Sequence, residues 1–244
     1  MFRGIFSSTI WGNDGESMQK MDILGVTLTD YSLKESLLLL DGFLENGALN
    51  TILYVTTPML ILAGKDENEK ERIESMDMTL CGESDILRVA KIESKSRSYE
   101  VENLVFLKEF LRRIVRGGKT IYLLSDSEED AQKLRDELKD FQRGISVRGY
   151  QIIKEDAENV EEVVNDINDI APSVIISRMA GSRQEQWMLE AKPYINAEVW
   201  LGISKDMKLG ERRESFQKKA MSRIYKKMFH DRMNRYNGEN EKNQ

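Results

Sequence analysis

Short runs of β-branched and aliphatic residues alternate with segments of helical character along this chain, and that alternation restricts the fold more than any other feature. Residues 23–26, 51–56, 78–80, 120–124, 145–153, 174–176 and 198–201 read as strands. Residues 33–44, 103–115, 127–141, 157–170 and 182–190 read as helices. Several of these carry readable ends. Ser32 with Glu35 three positions on makes a capping-box pattern. Pro58 suits the first turn of a helix, and Gly117-Gly118 closes the helix before it. A β-α repeat built on such short apolar strands implies an α/β fold: a Rossmann-like, largely parallel sheet flanked by helices.

Three units divide the chain: a leader over residues 1–20, an α/β domain over 21–209, and a basic appendage over 210–244. The leader is too polar in its middle for a convincing signal peptide. No apolar run reaches the ~20 residues that span a bilayer. The single cysteine, Cys81, excludes an intramolecular disulfide framework. The single histidine, His230, lies in the basic tail. A Cys/His metal centre is therefore not expected, and neither is a Ser-His-Asp or Cys-His mechanism.

Charge is uneven. The net value is −6, yet ten Lys and Arg residues stand against three acids between positions 208 and 236. Phe216, Ala220, Ile224 and Met228 recur there every four residues, joined by Tyr225 and Phe229, as one apolar stripe of a helix. Two readings stay open. The helix lies on an anionic membrane surface, or it docks on its own domain with a solvated basic face. Nucleic acid is not an expected partner, because the rest of the chain is acidic and carries no nucleic-acid motif.

The densest local pattern covers residues 174–189. A β-branched run ends in the small-residue turn Met179-Ala180-Gly181-Ser182, and a helix-like segment with Gln184, Glu185 and Trp187 follows at once. This order puts two polar side chains at the C-terminal edge of a buried strand, where open α/β sheets bind ligands. A sugar-nucleotide platform is one reading. The other is a helix cap with Trp187 packed in the core.

Together these features resemble the WecG/TagA/CpsF glycosyltransferases of bacterial cell-surface polymer synthesis. Met21-Asp22-Ile23-Leu24-Gly25-Val26 looks like that family's first strand. Residues 51–63, TILYVTTPMLILA, look like its second strand and following helix. Residues 173–188 look like its glycine-turn and Gln-Glu-x-Trp segment, here Gln184-Glu185-Gln186-Trp187, and residues 223–236 look like its C-terminal appendage. The resemblance implies an inverting transfer that uses neither metal nor cofactor. The implied donor is a UDP-activated N-acetylmannosamine or related N-acetylhexosamine. The implied acceptor is a polyprenyl-diphosphate-linked sugar at the inner leaflet, reached by a cytoplasmic, peripheral protein. Arg223, Arg232 and Arg235 are then candidates for holding the lipid diphosphate, since guanidinium forks onto phosphate oxygens. Self-association is left open.

The departures from the family are as informative. Its strand-end asparagine falls on Thr56 or Thr57. Its catalytic aspartate falls, ungapped, on Gly82, with Glu83 and Asp85 close enough to substitute if the loop shifts. Paired glycines give way to Ser125-Asp126, and a later Gly-Gly-x-Phe-Asp segment gives way to Ile203-Ser204-Lys205-Asp206-Met207. Two functions are therefore expected in competition. One is a divergent membrane-associated transferase with Glu83 or Asp85 as base and with Gln184, Glu185 and Trp187 at the nucleotide-sugar. The other is a catalytically inactive relative acting as a binding or regulatory subunit of a polysaccharide assembly machine.

Overall fold

The computed structural model describes residues 19–154, 160–205, 207, 209 and 216–240, with side chains of the last segment from Arg223 onward. Most of the leader and the side chains of Phe216 and Ala220 lie outside the described residues.

The domain opens with a hairpin rather than a single strand. β1 (Gln19–Ile23) and β2 (Val26–Asp30) pair antiparallel. Leu24 and Gly25 turn the chain with φ of 56° and 85°, the left-handed pair that matches strand twist in two-residue hairpins. The expected strand over residues 23–26 is thus the tip of this hairpin, outside the main sheet.

The main sheet holds six parallel strands: β3 (Asn50–Val55), β4 (Met78–Cys81), β5 (Thr120–Ser125), β6 (Ser146–Ile152), β7 (Val174–Arg178) and β8 (Val199–Gly202). Their spatial order is β4-β3-β8-β7-β5-β6. β3, β7 and β8 are buried along their whole length, as strands covered on both faces must be. The edge strand β6 instead alternates exposed and half-buried residues.

The two-residue period of the strands separates two cores. One face carries Leu53, Val55, Tyr122, Leu124, Ile175 and Trp200. It is covered by the hairpin and by α2 (Thr57–Ala63), α3 (Glu67–Glu74), α4 (Ser84–Val89), α8 (Val160–Ile170) and α9 (Arg183–Ala191). The opposite face carries Ile52, Tyr54, Ile121, Leu123, Val174 and Ile176. It is covered by α1 (Leu33–Phe43), α6 (Val105–Arg116) and α7 (Glu128–Phe141). α5 (Lys95–Glu102) leads into α6. Ser32 and Glu35 form the expected capping box on α1, and Ser127 caps α7. α6 is the most regular amphipathic helix, burying Phe106, Leu107, Phe110, Leu111 and Ile114.

The appendage forms α10 (Phe216–Asn240) and docks on α2 and α4. It buries Phe229 and Met233, with Tyr225 and Tyr236 packed beside them. The buried line is therefore offset from the stripe read in the sequence. Ile224 and Met228 face outward, 51% and 41% exposed. Tyr236 donates to Asp22 of the hairpin at 3.2 Å, which ties the two ends of the described chain together.

Candidate active site

The loops that follow the parallel strands gather the candidate residues at one edge of the sheet. At its β3–β4 end, the Gly82 N–H donates to Val55 O at 2.7 Å. A Cβ on Gly82 would stand 2.9 Å from that oxygen and 3.2 Å from Thr56 Cγ2. A side chain there would have to displace backbone, so an acid at the ungapped aspartate position is disfavoured by packing. The next residue supplies one. Glu83 accepts from Thr57 Oγ1 at 3.1 Å and from the Thr57 N–H at 3.4 Å. This half-buried carboxylate is thereby oriented at the start of α2, where Thr56 lies fully buried.

Asp85 does not join that pair. It is 3% exposed and sits under α10, with Lys226 Nζ at 2.6 Å, His230 Nε2 at 4.0 Å and Arg88 as a third cationic partner. Its surroundings are those of an anchor for the appendage.

A recess of about 330 Å³, its open mouth included, is lined by Leu80 and Cys81 of β4 and does not include Thr57 or Glu83 in its wall. Tyr31, Tyr54, Cys81, Arg97, Glu100 and Phe106 contribute to its lining. Arg97 bridges Asp30 at 2.6 Å and also pairs with Glu100 on its own helix. Burial pushes the Cys81 thiol up to about 12, which leaves it an inert small hydrophobe. Burial also raises the Tyr54 phenol far above the ordinary tyrosine value, with the Leu107 backbone amide opposing.

The other half of the edge is held by charge. Asp126, after β5, accepts from the Ala180 N–H at 2.7 Å and pairs with Lys205 Nζ at 2.8 Å and Arg183 at 3.6 Å. Lys205 also reaches Asp130 at 2.8 Å. Ser125 Oγ donates to Arg178 O. Arg178, itself buried, donates to Glu137 at 2.6 Å and to Met207 O at 3.3 Å. Ser125 and Asp126, with Arg178, thus tie three loops together.

The Gln-Glu-x-Trp segment is turned inward. Gln184 is 1% exposed and accepts from the Met179 N–H at 3.3 Å. Glu185 is equally buried, and that burial pushes its carboxyl up to about 8, with Glu69 adding to the rise and Arg72 opposing it. Trp187 packs in the core. In the appendage, Arg223 and Arg235 are exposed, whereas Arg232 donates to Ile61 O at 2.8 Å. Among the described residues no three His, Cys, Asp or Glu side chains are grouped to hold a metal ion. The sequence reading missed the lining of the recess, Arg97 above all, and the Arg178–Glu137 pair. A signal existed for Arg178, since a cation closing a short buried strand is unusual.

A family model described as Glycosyl transferase WecG/TagA/CpsF family matches residues 21–208. The chain belongs to this family. A comparison with curated proteins finds no match. Membership of the WecG/TagA/CpsF family makes glycosyl transfer the chemistry against which the edge must be judged. The matched span contains both halves of that edge, with Glu83, Asp126, Gln184 and Lys205, and it ends before α10. No helix of the described residues is long and apolar enough to cross a membrane.

Proposed function

We propose that this chain is a divergent WecG/TagA/CpsF transferase that moves an N-acetylhexosamine-type sugar from a UDP donor to a polyprenyl-diphosphate-linked acceptor. The observation that carries the reading is the Thr57–Glu83 pair at the C-terminal strand edge. Glu83 takes the proton from the acceptor hydroxyl. That oxygen attacks the anomeric carbon from the face opposite the leaving group. The new C–O bond forms as the sugar–phosphate bond breaks, UDP departs with the electron pair, and the configuration inverts. Gln184 serves this site by fixing the turn after β7 through the Met179 N–H, and Glu185 and Trp187 stand buried behind it.

The exposed Ile224 and Met228 on α10, flanked by Arg223 and Lys227, give the appendage a face for the anionic inner surface of a membrane. Arg223 and Arg235 lie open to a lipid diphosphate there, while Arg232 is engaged with Ile61 O.

A second reading is a non-catalytic relative acting as a binding or regulatory subunit. It is favoured by Asp126, whose negative charge stands at an edge where a diphosphate would have to bind. Calorimetry with UDP and a panel of UDP-sugars, followed by transfer assays on a polyprenyl-diphosphate acceptor, separates the two. Donor binding and turnover, with turnover lost in Glu83→Gln, support the transferase. Absence of both for every donor supports the regulatory subunit.

A further inference from the structure

Arg178 closes β7 with its guanidinium buried. Its Nη1 donates to Glu137 of α7 at 2.6 Å and its Nη2 donates to Met207 O at 3.3 Å, while Nε has no partner. A buried ion pair adds little stability in itself, because desolvation of the two charges offsets their attraction. What this one does hold is a loop. Glu137 fixes the guanidinium, and the guanidinium fixes a backbone carbonyl in the segment after β8.

That segment carries a contact sideways across the sheet. The Ile203 N–H donates to Ser177 O at 2.9 Å, and the Met207 N–H donates to Ser204 O at 3.0 Å, so the chain turns as soon as it leaves β8. Met207 is itself buried. A Cβ built on Gly82 would stand 3.3 Å from Met207 Sδ, so the thioether lies against that glycine. On its other sides Gly82 meets Val55 O, to which its N–H donates, and Thr56 Cγ2. Glu83 is the next residue, and Thr57 donates to its carboxylate.

Three contacts therefore run in series from α7 to the candidate base: Glu137 to Arg178, Arg178 to Met207, and Met207 to Gly82. They cross from β7 to β4 over the ends of β8 and β3, which lie between them in the sheet.

We propose that Arg178 is a positioning residue for Glu83. Acting through Met207, it fixes the backbone at residues 82 and 83, and with it the reach of the Glu83 carboxylate to the acceptor hydroxyl. The identity of the base rests on the transferase reading, whereas the link from Arg178 to Gly82 can be measured without turnover. Reach governs a general base before its pKa does, and a misplacement of ~1 Å lowers a rate by about a hundredfold. Loosening the Met207 contact thus acts on kcat and leaves substrate binding nearly as it was.

The test uses the full chain with Met207→Ala, Met207→Leu and Arg178→Gln, each shown to be folded by circular dichroism. Met207→Ala and Arg178→Gln are expected to speed amide exchange at Gly82 and Glu83 by about tenfold while α6 stays protected. The same two variants are expected to lower kcat by about tenfold or more, with KM within about twofold of wild type. Met207→Leu conserves volume and is expected to restore both. Each substitution is repeated in a Glu83→Gln background, where a residue acting through Glu83 lowers kcat no further. Arg178→Gln leaves Glu137 buried without its partner; if it does not fold, Arg178→Met/Glu137→Leu removes both charges at little cost and takes its place. Unchanged exchange at Gly82 in Met207→Ala and in the folded Arg178 variant overturns the proposal. So does a loss of kcat that persists undiminished in the Glu83→Gln background, an outcome that leaves the transferase reading standing. Wild type without turnover on any donor removes that reading instead, and the exchange measurement alone then decides the link from Arg178 to Gly82.

Discussion

Lys226 on α10 places its ammonium 2.6 Å from the buried Asp85 carboxylate on α4. One half-exposed cation thus clips the appendage to the domain through an acid that is almost fully buried. Asp85→Ala should loosen α10 without disturbing the sheet. Removing one partner of a fully buried pair costs about 3–5 kcal/mol, but solvent screens Lys226, so a loss of about 1–2 kcal/mol is expected. Hydrogen exchange should accelerate across residues 223–236 and remain slow in α6. Unchanged protection of α10 would show that the pair does not hold it.

The two neighbouring acids should also separate kinetically. Glu83→Gln is expected to lower transfer by about a hundredfold or more, the usual contribution of a positioned base. Asp85→Asn is expected to keep most of kcat in a soluble assay, because its carboxylate is committed to α10. Equal losses in both variants would remove Glu83 from the role of base.

Gly82 sits where a side chain would press on backbone. Its absent Cβ leaves Val55 O room to accept the Gly82 N–H, with the building position only 2.9 Å from that oxygen. Gly82→Asp, which writes an acid at the ungapped family position, is expected to destabilise the fold by about 1–3 kcal/mol through overpacking and to gain no activity. Urea melts and the transfer assay check both halves. A stable, more active variant would mean that the strand ends spread easily.

Glu185 gives the fold a pH dependence. Burial holds its folded-state carboxyl up to about 8, whereas the unfolded chain titrates at an ordinary glutamate value near ~4.3. Between those two values the folded state binds the extra proton. Stability therefore falls as pH rises through that window, by at most about 1.4 kcal/mol per pH unit. Glu185→Gln should flatten this slope and raise the melting temperature at pH 8 more than at pH 5. Parallel curves for the two proteins would show that Glu185 does not contribute the slope.

The parallel sheet and its long helices were legible because their signals are local. The box of Ser32 and Glu35, the cap at Ser127 and the apolar strands all carry their reasons in adjacent residues. What escaped has equally physical causes. The hairpin turn uses Leu24 in a left-handed conformation, which a non-glycine residue does not advertise. α3 is charged along nearly its whole length and buries only Glu69 and Ile73, so it has no apolar period to read. At the site, Glu83 was visible as an acid after β4, and its pairing with Thr57 is a contact across 26 residues that no short window contains. The engagement of Asp126 with Ala180 and Lys205 likewise joins loops far apart in sequence.

The apolar residues of α10 lie on two sides of the helix. Phe229 and Met233 face the domain, while Ile224 and Met228 face outward beside Arg223 and Lys227. Phe229→Ala should cost about 3–5 kcal/mol of stability, the range for a buried aromatic truncated to alanine. Ile224→Glu/Met228→Glu should leave the melting temperature nearly unchanged. Sedimentation with vesicles containing anionic phospholipid should show the reverse ranking. The double glutamate variant is expected to lose most binding. Arg223→Gln/Lys227→Gln is expected to lose roughly thirtyfold, since each cation at such a surface is worth about 1 kcal/mol. Vesicle binding that survives both outward-facing pairs would assign the exposed stripe to solvent and take the membrane face away from α10.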